Sequence, residues 1–329
     1  MSNRHDKYLS RVDLVKNQVE RQRLKEQEYS AAKRKKLQQQ NKLLYERQQL
    51  IASAELAARV AASNASGGDE SSTDTDAQAF ITAASITNPT QQSAINTLVT
   101  DLKGYGVWSK MKALYPFVGG TASQHKFNLK NPLDTDAAFR LVFNGGWTHS
   151  ANGALPNGTN GYADTKLIPS INWTKFNHHF SLYSRTNNKR DVFNGARNSG
   201  PQQAEVILLR STDSPNGKFY YWSYGWGQSS VYIDSTDSTG LFLATNRSAS
   251  DREVYRNGNS IATNTYDMTP YLAVTFSMWL ASNNFNGSAN GYDNKEIAFA
   301  SLGDGLTDTE AANFYTAVQA FQTTLGRNI

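Results

Sequence analysis

Hydrophobic and polar positions divide this chain into two regimes. Up to about residue 62 charged and amide side chains dominate, and the apolar ones recur at helical spacing. From Thr121 onward the period is two, in short segments set apart by Asn, Gly, Asp, Ser and Pro clusters. The first regime is rich in Lys, Arg, Gln, Glu, Leu and Ala, which lose little rotamer freedom in a helix, so Arg4 to about Ala62 predicts one long helix or two in series. Val12, Val15 and Val19 begin a heptad, but the same register carries Gln22, Glu26, Lys33 and Lys36 onto the seam, where burial costs more than the valines return. Further on, Leu37, Leu44, Ile51 and Ala58 repeat every seven residues beside Leu43, Leu50 and Ala57, a stripe broad enough to be an oligomerisation seam.

Residues 63–76 read SNASGGDESSTDTD, small and polar throughout, which predicts a flexible joint. A helical patch follows. It comprises Asp76 to Ala84, then a helix N-capped by Asn88 with Pro89 at its first position and one apolar face made by Ile95, Leu98, Val99 and Leu102. Trp108, Met111 and Leu114 extend it as a third helical turn, ended by Pro116 and Gly119-Gly120. The alternating segments then predict strands over Phe139–Phe143, Phe180–Tyr183, Glu205–Arg210, Lys218–Trp226, Val231–Ile233, Leu241–Thr245, Ile261–Thr265, Tyr271–Leu280 and Ile297–Ser301. So many short strands fit a β-sandwich or jelly roll. Asn257-Gly258 marks a two-residue hairpin and Asn216-Gly217 a second turn. At the end Thr307 and Glu310 form a capping box, Ala311, Phe314, Val318, Phe321 and Leu325 share one helical face, and Gly326 is the C-cap. The expected organisation is a basic helical arm (1–66), a linker (67–76), a small helical patch (77–120) and a sandwich closed by a helix (121–329).

Composition sharpens the division. The first 66 residues hold no glycine and no proline, while the rest holds all 23 glycines, all 8 prolines and all 6 tryptophans. Met1 to Ala62 carries 14 Lys and Arg against 7 acidic residues; the whole chain is +5, so the remainder is −2. An electrostatic partner is therefore sought at the arm. Three readings of the arm stay open: a short parallel coiled coil through residues 37–61, with a trimer favoured and a dimer next; packing on other subunits of an assembly; and contact of Lys33–Lys36 with nucleic acid, ranked below packing because no aromatic residues interleave with the basic ones. The absence of cysteine excludes disulfides, thiolate metal sites and thiol nucleophiles. The first residues lack the apolar run of a signal peptide and no stretch is long and apolar enough for a membrane span, so a cytosolic product that stays soluble or assembles is expected.

Catalytic and cofactor signatures are sparse. The histidines (His5, His125, His149, His178, His179) show no zinc-protease spacing, and there is no Gly-x-Ser-x-Gly elbow, P-loop or dinucleotide fingerprint, so no enzyme, metal or cofactor is expected. Asp251-Arg252-Glu253 comes nearest to the paired carboxylates of a glycosidase, but reads as the flank of a turn. Strand alternation sends His178 and His179 to opposite faces, which favours a satisfied polar role over a metal site. Asp234 and Asp237 in DSTDSTG read as a turn before they read as calcium ligands. In KFYYWSYGWG, alternation places Tyr220, Trp222, Tyr224 and Trp226 on one strand face and Phe219, Tyr221 and Ser223 on the other. Such a ladder suits stacking on sugar rings, and competes with the plain alternative that the face fills the core. Trp147 and His149, in a loop-like NGGWTHSANG, are a second candidate.

The order VYRNG, LAVTFSMWL, EIAFASLGDG and LTDTEAANFYTAVQAF resembles the last third of laminin-G-like, concanavalin A-type jelly rolls. The run from about Asp76 through KGYGVWSKMKALYPFVGG and AAFRLVFNGGWTHSANGALPNGTNGYADT to the closing helix resembles a domain of structural proteins of tailed bacteriophages. The resemblance spans most of residues 76–329 and leaves out the basic arm. It implies a mainly β fold with a helical arm, and a virion component assembled in the host cytoplasm: a head fibre, decoration protein or tail fibre part. Its partners would then be other virion proteins and a host-surface glycan. The rival expectation is a soluble carbohydrate-binding lectin module or glycan hydrolase.

Overall fold

The computed structural model describes Lys36 and residues 73–200, 203–225 and 227–329. The expected seam (Leu37, Leu44, Ile51, Ala58), Lys33–Lys35 of the basic cluster and Trp226 lie outside the described residues. Contacts divide the chain between Glu70 and Ser71, and the fold concerns the second unit.

That unit opens with two helices, α1 (Thr75–Ala83) and α2 (Pro89–Gly104). Asn88 caps α2 by accepting from the Gln91 amide at 3.0 Å, with Pro89 in the first turn, as its sequence predicts. Two short helices, α3 (Ala122–His125) and α4 (Pro169–Asn172), interrupt the strands, and α5 (Asp308–Thr324) closes the chain behind the Thr307–Glu310 capping box. Gly326 follows at φ 65° with its amide on the Thr323 carbonyl, 2.9 Å away.

The strands in chain order are β1 (Met111–Tyr115), β2 (Val142–Asn144), β3 (Trp147–Ser150), β4 (Gly153–Pro156), β5 (Tyr162–Asp164), β6 (His178–Ser184), β7 (Asn194–Arg197), β8 (Ala204–Leu208), β9 (Lys218–Ser223), β10 (Val231–Asp234), β11 (Gly240–Ser248), β12 (Asp251–Arg256), β13 (Asn259–Asn264), β14 (Trp279–Leu280), β15 (Asn283–Phe285), β16 (Ser288–Asn290) and β17 (Ile297–Gly303). One sheet runs β13-β12-β11-β6-β17-β4-β3, with β1 added on β17. The other runs β10-β9-β8-β7-β14-β5-β2, with β15 and β16 attached. Among the described strands every pairing is antiparallel except β7 with β15. The fold is therefore the mainly β sandwich that the alternation implies.

The core lies between the sheets. Phe180, Leu182, Phe242, Ala244, Ala300 and Leu302 from the first meet Ala196, Ile207, Phe219, Tyr221 and Leu280 from the second. Phe219 and Phe242 stack across the interface at 5.4 Å and 4°. The other face of the first sheet is covered by helix: Phe299 of β17 meets Phe314 and Phe321 of α5 edge-on, at 6.0 and 6.2 Å. Strand β6 is thus buried on both faces, and its two histidines diverge as alternation requires. His178 faces the second sheet, with Nε2 3.0 Å from the Glu205 carboxylate. His179 faces the helix, with Nδ1 2.6 Å from the Asp304 carbonyl and Nε2 2.9 Å from Ser301 Oγ.

Three segments depart from expectation. Met111–Tyr115 is a strand, not a third helical turn; a short apolar run is ambiguous between the two, and pairing with β17 decides it. Of Tyr271–Leu280 only Trp279–Leu280 is strand. The earlier part is irregular, and loops take up its backbone: Ser170 donates to the Val274 carbonyl at 2.9 Å and Met278 to that of Leu167 at 2.8 Å. Trp147 and His149 lie on β3 rather than in a loop, paired with Pro156 and Ala154 of β4.

A second pair of histidines sits at that hairpin. The Gly120 amide donates to His125 Nε2 at 3.2 Å, which leaves the ring proton on Nδ1, and Nδ1 lies 2.9 Å from His149 Nδ1. Both rings are therefore neutral. Burial, reinforced by His149 and Arg327, pushes the His125 pKa down to about 3, and burial takes His179 to about 4.

Arg327 is wholly buried, and among the described residues no carboxylate forms an ion pair with it. It donates to the carbonyls of Pro116 (2.6 Å), Phe117 (2.8 Å), Ala298 (3.0 Å) and Ala151 (3.3 Å), and its Nε to Gln322 Oε1 at 2.6 Å. Arg327→Met should cost about 3–5 kcal/mol in urea denaturation, since the side chain goes but its acceptors stay buried. A loss no larger than that of an exposed-arginine control would contradict this assignment.

The histidines give a pH dependence with a definite sign. In the unfolded chain they take up protons near pH 6.5, and in the folded chain only near 3 and 4, so the folded state is favoured fully above that window and loses stability as pH falls through it. Each contributes a slope of about 1.4 kcal/mol per pH unit inside the window. Unfolding free energies between pH 7 and 4 should show this decline, flattened in His125→Gln and His179→Gln; an unchanged slope in both variants would refute it.

Candidate functional site

With helices on one side of the first sheet and the core between the two, the outward face of the second sheet is where side chains meet solvent. Strand β9 shows the alternation directly: Phe219, Tyr221 and Ser223 are buried, while Lys218, Tyr220 and Trp222 are half-buried on the outer side. The predicted ladder is present in its first two members. Tyr224 departs from it: the strand ends at Ser223, the backbone of Tyr224 turns to φ 57°, and the ring is buried against Phe176 at 4.6 Å, its hydroxyl accepting from the Phe176 amide at 2.7 Å. Trp226 is outside the described residues.

Two aromatic residues join Tyr220 and Trp222 from neighbouring positions. Tyr232 of β10 is paired with Tyr220 and is 61% exposed, its ring 6.1 Å from that of Tyr220. Phe193, the residue before β7, lies 4.2 Å from Trp222 and 6.3 Å from Tyr220. Beneath them β8 supplies a buried apolar floor, with Val206 opposite Trp222 and Leu208 opposite Tyr220. Gly195 of β7 stands opposite Val206 at φ 130°, where a Cβ would meet the Glu205 carbonyl oxygen at 2.0 Å.

Polar groups edge this surface. The Tyr220 hydroxyl donates to the exposed Asp213 carboxylate, which also accepts from Ser211 Oγ. Burial and the Asp213 hydrogen bond push the Tyr220 hydroxyl up to about 12, and the bonds from Ser211 and Tyr220 hold the Asp213 carboxyl below its usual value. Asp191 accepts from the Thr212 amide at 2.7 Å, and Lys218 Nζ is 5.7 Å from the centre of the Tyr232 ring. The arrangement offers aromatic faces with a charged acceptor at the Tyr220 hydroxyl and a charged donor over the Tyr232 ring, groups that suit a ligand with apolar faces and peripheral hydroxyls.

The other sequence candidates resolve differently. Trp147 is half-buried against the core, its Nε1 donating to the Asn144 carbonyl at 3.0 Å and its ring 5.2 Å from Phe143, away from the second sheet's outer aromatic group. Beside Phe143 lies a pocket of about 280 Å³ lined by Lys126 and Arg140, and Asp134 pairs with both cations. Asp251 opens β12 just after its turn, where it and Glu253 are tied to Arg247 at 2.8 and 2.7 Å. Asp237 is taken up by Thr239 at 2.9 Å and by Arg256. Among the described residues no three His, Asp or Glu side chains group as a metal site, and no helix is long and apolar enough to cross a membrane. Sequence reasoning missed Phe193, Tyr232, Asp191 and Asp213. Tyr232 had a signal, as the outward residue of the predicted strand Val231–Ile233, but its pairing with Tyr220 is a matter of register.

No protein-family model matches the chain, and no curated protein does. Among solved structures the chain is similar to a mutant of Trypanosoma rangeli sialidase displaying trans-sialidase activity, at 10% identity over 70% of this chain and 39% of that one, with a TM-score of 0.45. It is also similar to the binding domain of botulinum neurotoxin DC in complex with SialylT, at 12% identity over 64% and 52% of the two chains and a TM-score of 0.46. A third is domain 4 of an extracellular arabinanase from Geobacillus stearothermophilus in complex with arabinotriose, at 15% identity over 62% of this chain and 98% of that one, with a TM-score of 0.38. The chain thus spans about two fifths of the sialidase and about half of the neurotoxin chain.

Proposed function

We propose that residues 73–329 form a glycan-binding module that acts without turnover. The observation that carries this reading is the outer face of β7–β10, where Phe193, Tyr220, Trp222 and Tyr232 lie together over a buried apolar floor and beside Asp213. Isolated aromatic residues on a surface need no explanation, but four joined by ring contacts, with Tyr220 touching each of the other three, mark an interaction site. Their flat faces suit the C–H faces of sugars, and Asp213 and Lys218 suit the hydroxyls. We further propose that the chain is a virion component of a tailed phage, held on the particle by its basic arm and displaying this module to host glycans. That part rests on the sequence resemblance and on the composition of the arm.

A glycan array probed with the intact chain is expected to give hits that Trp222→Ala and Tyr220→Ala each weaken by about tenfold or more, the order of one lost stacking ring. Hits that survive both substitutions would move the site elsewhere, and cleavage of an arrayed glycan would replace binding by hydrolysis. For the arm, light scattering of the intact chain is expected to give three times the chain mass, reduced by Leu44→Asp with Ile51→Asp. A monomer from the unaltered chain would remove the anchored oligomer.

A further inference from the structure

The four rings do not form one flat floor, and their arrangement bears on the size of the ligand. Tyr220 and Tyr232 are cross-strand partners with ring centres 6.1 Å apart and planes 37° apart. They are two separate stacking surfaces on neighbouring strands, tilted relative to each other. Their separation is comparable with that of neighbouring rings along a sugar chain. Trp222 stands at 70° to Tyr220, 6.4 Å away, and is packed on Phe193 at 4.2 Å and 34°. Trp222 is edge-on to the Tyr220 ring and Phe193 is tilted at 57° to it, so the pair bounds that surface on one side. On the opposite side lies β10, the last strand of its sheet, on which Tyr232 is 61% exposed. Each stacking ring also has its own polar companion, Asp213 at Tyr220 and Lys218 at Tyr232.

We infer that this face takes two successive sugar rings of a chain running across β9 and β10, one on Tyr220 and one on Tyr232, so that its ligands are oligosaccharide chains and not single terminal sugars. The inference rests on the glycan-binding reading. The first sugar lies in the corner made by Tyr220 and the Phe193–Trp222 pair and gives a hydroxyl proton to Asp213. The second lies on Tyr232, and further residues run past the sheet edge into solvent.

Calorimetry with the intact chain tests this using arabinose, arabinobiose and arabinotriose, glucose, maltose and maltotriose, the matching cello-oligosaccharides, and the same size series of the strongest array hit. Affinity is expected to rise about tenfold or more from one sugar to two and little thereafter, the gain of one added stacking contact. Tyr232→Ala should abolish that gain, so that two sugars bind no more tightly than one, and Tyr232→Phe should keep it. With Tyr232 largely exposed, the fold is expected to survive both changes, and circular dichroism checks this. Equal affinity for one and two sugars, or a gain that persists in Tyr232→Ala, overturns the two-ring site and leaves glycan binding standing. Silence of every series and of the array overturns both.

Discussion

The buried guanidinium of Arg327 is the fixed point on which the arrangement of layers depends. Its donors reach carbonyls just after β1, within β17 and in the turn between β3 and β4, and a glutamine of α5. A cation removed from water at such cost is tolerated only when its N–H groups are all engaged, and here neutral carbonyls do this in place of a carboxylate. Burial accordingly lowers its pKa. The geometry admits little slack, because a planar fork with several fixed acceptors has one position. The helix that covers the first sheet is thereby locked to three separate stretches of chain, and the same positive charge helps keep the nearby His125 neutral.

That lock has a consequence on the far side of the molecule. Covering the first sheet with α5 and filling the space between the sheets with Phe180, Phe219, Phe242 and their neighbours uses up three of the four sheet faces. Only the outer face of the second sheet remains for large side chains that are not needed for packing. Phe193, Tyr220, Trp222 and Tyr232 occupy it, over Val206 and Leu208, which are as buried as core residues although they belong to that outer face. The floor is buried beside the aromatic rings, and the packed floor in turn supports them.

What the sequence made legible follows the range of the interactions concerned. Asn257-Gly258, with φ 50° and 74°, Asn88 before Pro89, and Thr307 with Glu310 are each decided within four residues, and each is found as read. Alternation in KFYYWS correctly separated Tyr220 and Trp222 from Phe219 and Tyr221, because period two is a local property of a strand. It failed at Tyr224, where a single left-handed residue ends the strand and turns the ring inward. Phe193 and Tyr232 were missed as site members for another reason: although alternation turned Tyr232 outward, both meet Tyr220 through the pairing of separate strands, which no local pattern states. Arg327 carried no signal at all, since its partners come from Pro116, Phe117, Ala151 and Ala298, far away in sequence.

Register is therefore the property on which the candidate site turns, and a buried charge fixes it. Glu205 points inward from β8, beneath the site, where its carboxylate is 3.0 Å from His178 Nε2 and accepts from Ser223 Oγ at 2.8 Å and the Tyr224 amide at 3.1 Å. Trp173 stacks on the far side of His178 at 4.4 Å and 4°, holding the ring that Glu205 meets. Glu205 is also the cross-strand partner of Ser223. Sliding β8 by one residue against β9 would send this carboxylate to the outer face and turn Val206 and Leu208 inward, leaving His178 without its carboxylate partner. An apolar residue at position 205 would tolerate such a slip far better, because one aliphatic side chain replaces another with little loss. The inward carboxylate thus specifies which side chains of β8 lie under Tyr220 and Trp222, and through that pairing it sets the spacing of the aromatic face.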